Sequence, residues 1–167
     1  MKSRYTMFAG YNRWANARLY AAAAALPDAD YRADRGAFFK SVHGTLNHLL
    51  VADRIWLKRF TGTGEAPARL DTILFEDLAA LQAAREAEDA RIIAWTESLT
   101  DEQLRATFRY QPITNPRVIE QQLAPALDHF FNHQTHHRGQ VHCLLTAITG
   151  TAPSLDLIAY QRELSRA

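Results

Sequence analysis

Five of the seven histidines in this chain fall between residues 129 and 142. Within that stretch, His133 and His137 are four residues apart, a spacing that places two side chains on the same face of a helix. Neutral imidazole nitrogens bind divalent transition metals, so such a pair can share one ion. Because two ligands leave an ion incompletely coordinated, this spacing requires a third ligand from another part of the chain.

The two histidines are predicted to point into the protein. On a helical wheel of about 100° per residue, His133 and His137 lie on the apolar stripe of their helix, close to Phe130, Val141 and Leu144. An imidazole buried in that stripe needs a polar partner. That partner is either another hydrogen-bonding group, as in a pair of core histidines, or a metal ion. The residues alone leave both interpretations open.

The second predicted helix, about residues 41–60, contains two histidines that could supply the third ligand. His48 lies on the same side of that helix as Ala52 and Trp56, whereas His43 is displaced by more than about 120°. His48 is therefore the predicted third ligand, and a buried histidine with no ligand role is the alternative. Together, the three histidines predict a mononuclear site for a divalent metal.

Several other catalytic centres are excluded by the sequence. The segment between the two later histidines, 134–136, contains no glutamate, so the zinc-protease motif His-Glu-x-x-His lacks its general base. No Glu-x-x-His pair is present, which excludes the ferritin-like dinuclear carboxylate site. A single cysteine, Cys143, excludes an internal disulfide and multi-cysteine zinc or iron–sulfur sites. Gly-x-Ser-x-Gly, Walker and Gly-x-Gly-x-x-Gly motifs are also missing.

The composition is that of an ordinary globular protein, since 47% of the 167 residues are hydrophobic and 22% are charged. Lys and Arg number 19 and Asp and Glu number 18, which gives no electrostatic reason to expect a nucleic-acid partner. Neither a signal peptide nor a membrane-spanning run is visible in the sequence. We therefore expect a single domain, residues 1–167, in the cytoplasm, with no membrane or nucleic-acid partner.

Apolar residues recur at helical spacing through most of the chain, which predicts an all-α fold. The predicted helices cover about residues 4–26, 41–60, 74–98, 125–149 and 154–165. Thr100–Gln103 has the sequence of a capping box, and Pro125 suits the first turn of the fourth helix. Between residues 105 and 122, Pro112 and Pro116 exclude a continuous helix, which favours a short hairpin or an extended loop. Three or four long amphipathic helices with one long late connection predict a four-helix bundle.

Several neighbours of the histidine pair have two interpretations each. Gln140 either hydrogen-bonds a ligand histidine or only packs within its helix. His129 and His136 are either pocket residues or residues of the solvent edge, and we expect the second. Cys143 is either a reactive thiol or a small buried residue, and again we expect the second.

Three further expectations concern residues away from the three histidines. Arg138 and Asp128 are expected to form salt bridges on the outside of the last long helix. His142 falls opposite the histidine pair on the wheel and is expected at the surface. Asn12 and Asn16 are expected to make structural hydrogen bonds rather than to line a pocket.

The sequence resembles the DinB family in three segments, which occur in the family's order: Tyr11-Asn-Arg-Trp-Ala-Asn16, Leu46-Asn-His-Leu-Leu-Val-Ala-Asp53 with Trp56, and Asn132-His-Gln-Thr-His-His-Arg-Gly-Gln140. The tail from Gly150 through Pro153-Ser-Leu-Asp-Leu-Ile158 also fits. The last of the three segments is the most specific, and the resemblance spans nearly the whole chain.

This resemblance implies a four-helix bundle, a homodimer, and a metal site on His48, His133 and His137. Related members include thiol-dependent transferases and a mycothiol-dependent isomerase. The implied activity is a metal-dependent thiol S-transferase. In it, one divalent ion would bind a low-molecular-weight thiol at an open position and lower its pKa. The thiolate would then attack an electrophilic substrate. Zinc and nickel are the favoured ions for three imidazoles, with iron and manganese as alternatives.

Two alternatives to the transferase stay open at this stage. The same open position could activate water, which would make the protein a metal-dependent hydrolase. The metal could also be structural, in a non-catalytic dimeric stress-response protein. The family name refers to damage-inducible expression and implies no binding to DNA, in agreement with the charge balance.

Overall fold

The computed structural model describes residues 1–113, 115 and 117–166, so the predictions for Pro116 and for the last residue of the 1–167 domain lie outside the described residues. In chain order the elements are α1 (Lys2–Ala24), α2 (Asp28–Arg32), α3 (Val42–Thr61), α4 (Leu78–Ser98), α5 (Asp101–Arg105), β1 (Thr107–Tyr110), β2 (Ile119–Gln122), α6 (Leu123–Thr149) and α7 (Leu157–Leu164). The long helices α1, α3, α4 and α6 form a four-helix bundle, which confirms the predicted all-α class. None of the described helices combines the length and apolar character that a membrane span needs.

The bundle is a ring in which each long helix packs against two others. Both α1 and α3 contact α4 and α6. Two clusters of buried apolar side chains fill the space between the helices. On α6 these clusters use residues 123–131 and 141–145, and His133 and His137 lie between them. The histidines are therefore held on a helix whose two ends are anchored in apolar packing.

Three helices differ from the prediction at their first residues. α4 begins at Leu78 rather than near residue 74, because the Asp77 side chain accepts a backbone N–H of the first turn and caps the helix there. α6 begins at Leu123, directly after the second strand and about two residues earlier than predicted, and Pro125 lies in its first turn as expected. The C-terminal helix is confirmed but is shorter than the predicted range 154–165.

The connection after α1 contains a helix that the sequence did not predict. α1 ends at Ala24, and Pro27 precedes the short helix α2. Asp28 at its start and Arg32 at its end suit the helix dipole, and Arg32 Nε donates to Asp28 Oδ1 at 2.9 Å. Because five residues are too few to show a helical period, the spacing of apolar residues does not indicate this helix.

The predicted capping box and hairpin are both present. Thr100 accepts the Gln103 backbone N–H at 3.1 Å, and the Gln103 side chain accepts the Thr100 backbone N–H at 2.8 Å. β1 and β2 then pair in antiparallel fashion, with Thr107 opposite Gln122. This hairpin delivers the chain directly into α6 and so positions the start of the histidine-bearing helix.

A chain of buried charged and polar side chains crosses the bundle and includes Arg138. The prediction that Arg138 lies on the solvent-exposed face of α6 is therefore wrong. Arg138 is 2% exposed and donates to Asn12 Oδ1. Asn12 Nδ2 donates to Asp89 Oδ1 at 3.3 Å, and Arg85 bridges Asp89 at 3.0 Å and Asp53 at 2.6 Å. α6 is covered by α1 as well as by α3, so a second face of the helix is buried and takes Arg138 with it.

Two other expectations about polar residues are confirmed. Asn12 and Asn16 are buried and make structural hydrogen bonds, since both donate to the carboxylate of Asp89. Asp128 is exposed on α6 and forms an ion pair with Arg4 of α1.

Candidate metal centre

The fold brings the three predicted ligand histidines together. His48 comes from α3, and His133 and His137 come from α6. His137 Nε2 lies 3.2 Å from His48 Nε2 and 3.1 Å from His133 Nε2. The three nitrogens that could ligate an ion are all within 4.8 Å of one another. The juxtaposition follows from the packing of α3 against α6, which places the apolar stripes of both helices face to face.

Hydrogen bonds at the far side of two rings determine which nitrogen carries the proton. His48 Nδ1 lies 2.8 Å from the Leu70 carbonyl oxygen, which can only accept, so Nδ1 is the donor. His137 Nδ1 lies 2.8 Å from Gln140 Oε1 and donates to it in the same way. The Gln140 amide is oriented by its other end, where Nε2 lies 3.2 Å from His136 Nε2. In their neutral forms, His48 and His137 therefore both present a lone pair at Nε2.

The three imidazoles are neutral at pH 7. Burial, together with a smaller effect of the neighbouring His137, lowers the pKa of His48 to about 4 against the opposing effect of its hydrogen bond to the Leu70 carbonyl. Burial and the adjacent histidines lower the pKa of His133 to about 3, and burial lowers the pKa of His137 as well. Neutral imidazole is the form that binds metal ions.

The donor set fits a divalent transition metal better than a set of hydrogen-bonded core histidines. Two acceptor nitrogens, those of His48 and His137, face each other at 3.2 Å with no proton between them. A cation at their common focus would satisfy both lone pairs. Nitrogens about 2.0–2.1 Å from a tetrahedral ion are roughly 3.3–3.4 Å apart, close to the separations of 3.1 and 3.2 Å here.

Comparison with known proteins places the chain in a family. Residues 1–164 match the DinB family. The chain belongs to the DinB family. Protein DinB of Bacillus subtilis (strain 168) is 27% identical over 150 residues, which cover 81% of this chain and 80% of that protein. YfiT from Bacillus subtilis, described as a probable metal-dependent hydrolase with an unusual four-helix bundle topology, is 20% identical with a TM-score of 0.64, over 90% of this chain and 89% of that chain. The likeness to YfiT shows the fold alone.

In this DinB-family chain, the histidines are held by two residues that the sequence did not single out. Phe39 stacks on His48 with ring centroids 3.7 Å apart and meets His137 edge-on at 5.6 Å. Leu70 supplies only its backbone carbonyl to His48. Both residues lie in connections between helices, where no periodic pattern exists and a backbone contact leaves no trace in the residue type.

A cavity of about 230 Å³ reaches the site from one side. Its lining includes His48 and His133 themselves together with the aromatic ring of Trp56. Apolar side chains of α3 and of two connections complete it: Ala52, Ile55, Leu70 and Ile113. None of the described residues that line it is a carboxylate. The cavity therefore offers space for a ligand beside the histidines but no acidic general base.

The remaining histidines do not join the cluster. His43 is buried, but its Nε2 lies 3.0 Å from the Phe75 carbonyl oxygen, away from the three ligand nitrogens. His129 and His136 are exposed, as expected, although His129 also lines the cavity. His142 is half-buried rather than fully at the surface.

The prediction for Cys143 is wrong, because this cysteine is exposed and not a small buried residue. The buried neighbours of α6 at this level are Val141, Leu144 and Leu145, and Cys143 falls outside the faces that α1 and α3 cover.

Proposed function

We propose that this DinB-family protein is a metal-dependent enzyme, a thiol S-transferase, whose single divalent ion is held by His48, His133 and His137. The observation that carries the proposal is the convergence of three neutral imidazoles beside a cavity. Zinc and nickel suit such a nitrogen set best, with iron and manganese as alternatives.

The chemistry would need one open position on the ion. A divalent ion held by the three histidines would be a Lewis acid and would lower the pKa of a thiol or a water molecule bound at that open position. The chain's own residues fix the geometry: the Leu70 carbonyl and Gln140 hold the rings of His48 and His137 in the ligand tautomer. Phe39 covers one face of the His48 ring, and the cavity reaches His48 and His133 from another side.

A thiol nucleophile is favoured over water because the cavity has no carboxylate in its described lining. Hydrolytic metal sites commonly use a glutamate to take the proton from water. A free thiol has a pKa near 8.5, so a metal ion alone can convert it into a thiolate at neutral pH. The apolar walls of Trp56 and Ile113 suit the hydrophobic part of an electrophile.

Hydrolysis is the second candidate, because YfiT is described as a probable metal-dependent hydrolase with the same bundle. A purely structural metal is disfavoured, since structural sites are usually closed by four protein ligands. Among the described residues, three potential ligands converge here and a cavity reaches two of them.

The metal half of the proposal is tested by elemental analysis of the purified protein. We expect about one ion per chain in the wild type and a large loss in His48→Ala and His137→Ala. His43→Ala on α3 and His142→Ala on α6 are the matched controls, since both remove a histidine of the same helix outside the cluster. Retention of metal in both ligand variants would refute the site.

The reaction is tested with the metal-loaded protein and two chromogenic substrates. N-acetylcysteine with 1-chloro-2,4-dinitrobenzene reports thiol transfer, and 4-nitrophenyl acetate reports hydrolysis. We expect a metal-dependent rate above the spontaneous one only in the thiol assay. A metal-dependent rate only with the ester would favour the hydrolase, and no metal-dependent rate in either assay would favour a structural ion.

We further propose that the protein is cytoplasmic and that it is a homodimer, the second of which its resemblance to the family implies. Analytical ultracentrifugation of the purified chain should give a molar mass twice that of the monomer. A monomer mass at micromolar protein concentration would refute the dimer.

A further inference from the structure

Among the described residues that line the cavity beside the histidines, Arg59 is the permanently charged one. The guanidinium carbon of Arg59 lies 4.7 Å from the ring centroid of Trp56 and 5.0 Å from that of Tyr110. Stacking between two aromatic rings restricts the rotamers of an arginine and leaves the edge of the guanidinium free to bind a planar partner. Arg59 is therefore held in a defined position at the wall of the cavity.

Arg59 has no acidic partner among the described residues. Its hydrogen bond to a neutral acceptor, the Gln111 carbonyl oxygen, is long at 3.4 Å. Other half-buried arginines of the bundle do pair with acids: Arg54 and Arg91 both contact Glu88, at 3.8 and 3.1 Å. Burial lowers the pKa of Arg59, which means that its charged form lacks part of the solvation it has in water. An anion in the cavity would supply that missing stabilisation.

The rest of the cavity favours a small anion with an apolar body. Its described lining contains no carboxylate, and the walls formed by Ile55, Leu70 and Ile113 are apolar. The volume of about 230 Å³ is below the roughly 300–1,000 Å³ of sites for drug-sized ligands. A divalent ion on the histidines would add further positive charge at the other end of the same space.

We propose that Arg59 binds the carboxylate of a small organic anion and that such carboxylates are the substrate class of this site. The apolar body of the anion lies against Trp56 and Ile113, and the group that reacts points to the three histidines. The inference rests on the proposed function for the identity of the reacting end, but the contact with Arg59 stands on the cavity alone. A bidentate guanidinium–carboxylate pair gives the geometric specificity that a single lysine would lack.

The test measures binding of benzoate and of its neutral counterpart benzamide to the full-length, metal-loaded protein by calorimetry. We expect benzoate to bind at least tenfold more tightly than benzamide. Arg59→Gln is expected to weaken the binding of benzoate by about 10- to 100-fold and to leave the affinity for benzamide unchanged. Arg59→Lys is expected to recover only part of that loss. Arg109→Gln, which removes an exposed charge paired with Glu120, is the control and is expected to have no effect.

Two results would overturn the assignment of Arg59. The first is equal affinity for benzoate in the wild type and in both Arg59 variants, with unchanged thermal melting. The second is benzoate binding that disappears in His48→Ala and in metal-free protein but persists in Arg59→Gln, because the anion would then sit on the metal. Absence of metal from the wild type with Arg59-dependent benzoate binding would instead refute the metal centre and support the anion site.

Discussion

Replacement of Gln140 by leucine tests how the metal site is assembled. The Gln140 side chain accepts the Nδ1 proton of His137 at 2.8 Å and thereby leaves Nε2 of that ring as the lone-pair nitrogen. Leucine has a similar size and a high helix propensity, so Gln140→Leu removes the acceptor with little effect on α6 itself. Without the acceptor, the neutral His137 ring can take the other tautomer or rotate, and both changes remove a ligand nitrogen from the site.

The expected size of the effect follows from the role of such partners in metal sites generally. Loss of a hydrogen-bond partner of a ligand histidine weakens metal binding by about 10- to 100-fold, or roughly 1.4–2.8 kcal/mol. Gln140 is half-buried, so water can reach the vacated position and replace part of the hydrogen bond. We therefore expect Gln140→Leu to fall near the lower end, with a dissociation constant raised about tenfold.

The assay is competition for zinc with a chromophoric chelator, using the wild type and three variants. Gln140→Leu should lose affinity, whereas Gln140→Glu keeps an acceptor and should bind at least as tightly as the wild type. His136→Ala removes the contact at the other end of the Gln140 amide, 3.2 Å away, and should change the affinity little. Wild-type affinity in Gln140→Leu, or an equal loss in His136→Ala, would refute the reasoning.

Three further predictions concern stability and the protonation of the site. Arg85→Met leaves the two buried carboxylates of Asp53 and Asp89 without their cationic partner and should lower the free energy of unfolding by about 3–5 kcal/mol. Arg109→Met at an exposed pair should cost less than about 1 kcal/mol, and chemical denaturation compares the two variants. Phe39→Ala opens the stacked face of His48 to water and should raise the pKa of that ring from about 4 toward 6.5 in metal-free protein, as followed by NMR; an unchanged pKa would refute the shielding role. Metal-free protein should lose stability as the pH falls from about 6.5 toward 3, because the unfolded chain takes up protons before His48 and His133 do in the folded state; a flat profile across that window would contradict the lowered pKa values.

The position of the three-histidine cluster can be predicted from the sequence because it depends on helix periodicity. His133 and His137 share a face by spacing alone, and His48 was chosen over His43 because it lies on the apolar side of α3. In the structure His43 is also buried, but it faces the Phe75 carbonyl. The helical wheel therefore selects the histidine that lies beside His133 and His137 in the structure, but it does not show that His43 is buried as well.

The wheel failed for Arg138 and Cys143 because it assigns one buried face to each helix. α6 has two buried faces, one against α3 and one against α1. Arg138 points toward α1 and is buried in its hydrogen bond with Asn12, while Cys143 lies outside both contacts and is exposed. Which of these two residues is buried depends on which helices pack against α6, and this tertiary packing cannot be read from a helical wheel.

The contributions of Phe39 and Leu70 were not predictable for a different reason. Phe39 precedes the cap residue Ser41 in a tight turn closed by the Ala37–Lys40 bridge, and that turn brings its ring over His48. Leu70 acts through a carbonyl group that every residue has. Side-chain identity carries no information about such a contact, so the sequence could suggest the ligands but not how they are oriented.

The two buried faces of α6 explain how the three-histidine cluster is held in a fixed orientation. On one face, Arg138 binds Asn12 of α1 and so connects α6 to the chain of charges that runs through Asp89 and Arg85. On the adjacent face, His137 belongs to the ligand cluster. Because neighbouring residues of one helix cannot rotate independently, the contact of Arg138 with α1 fixes the rotation of α6 and with it the direction of His137. Buried ion pairs add little stability compared with apolar side chains of the same volume. Their contribution here is to set the orientation of the helix that carries two of the three histidines.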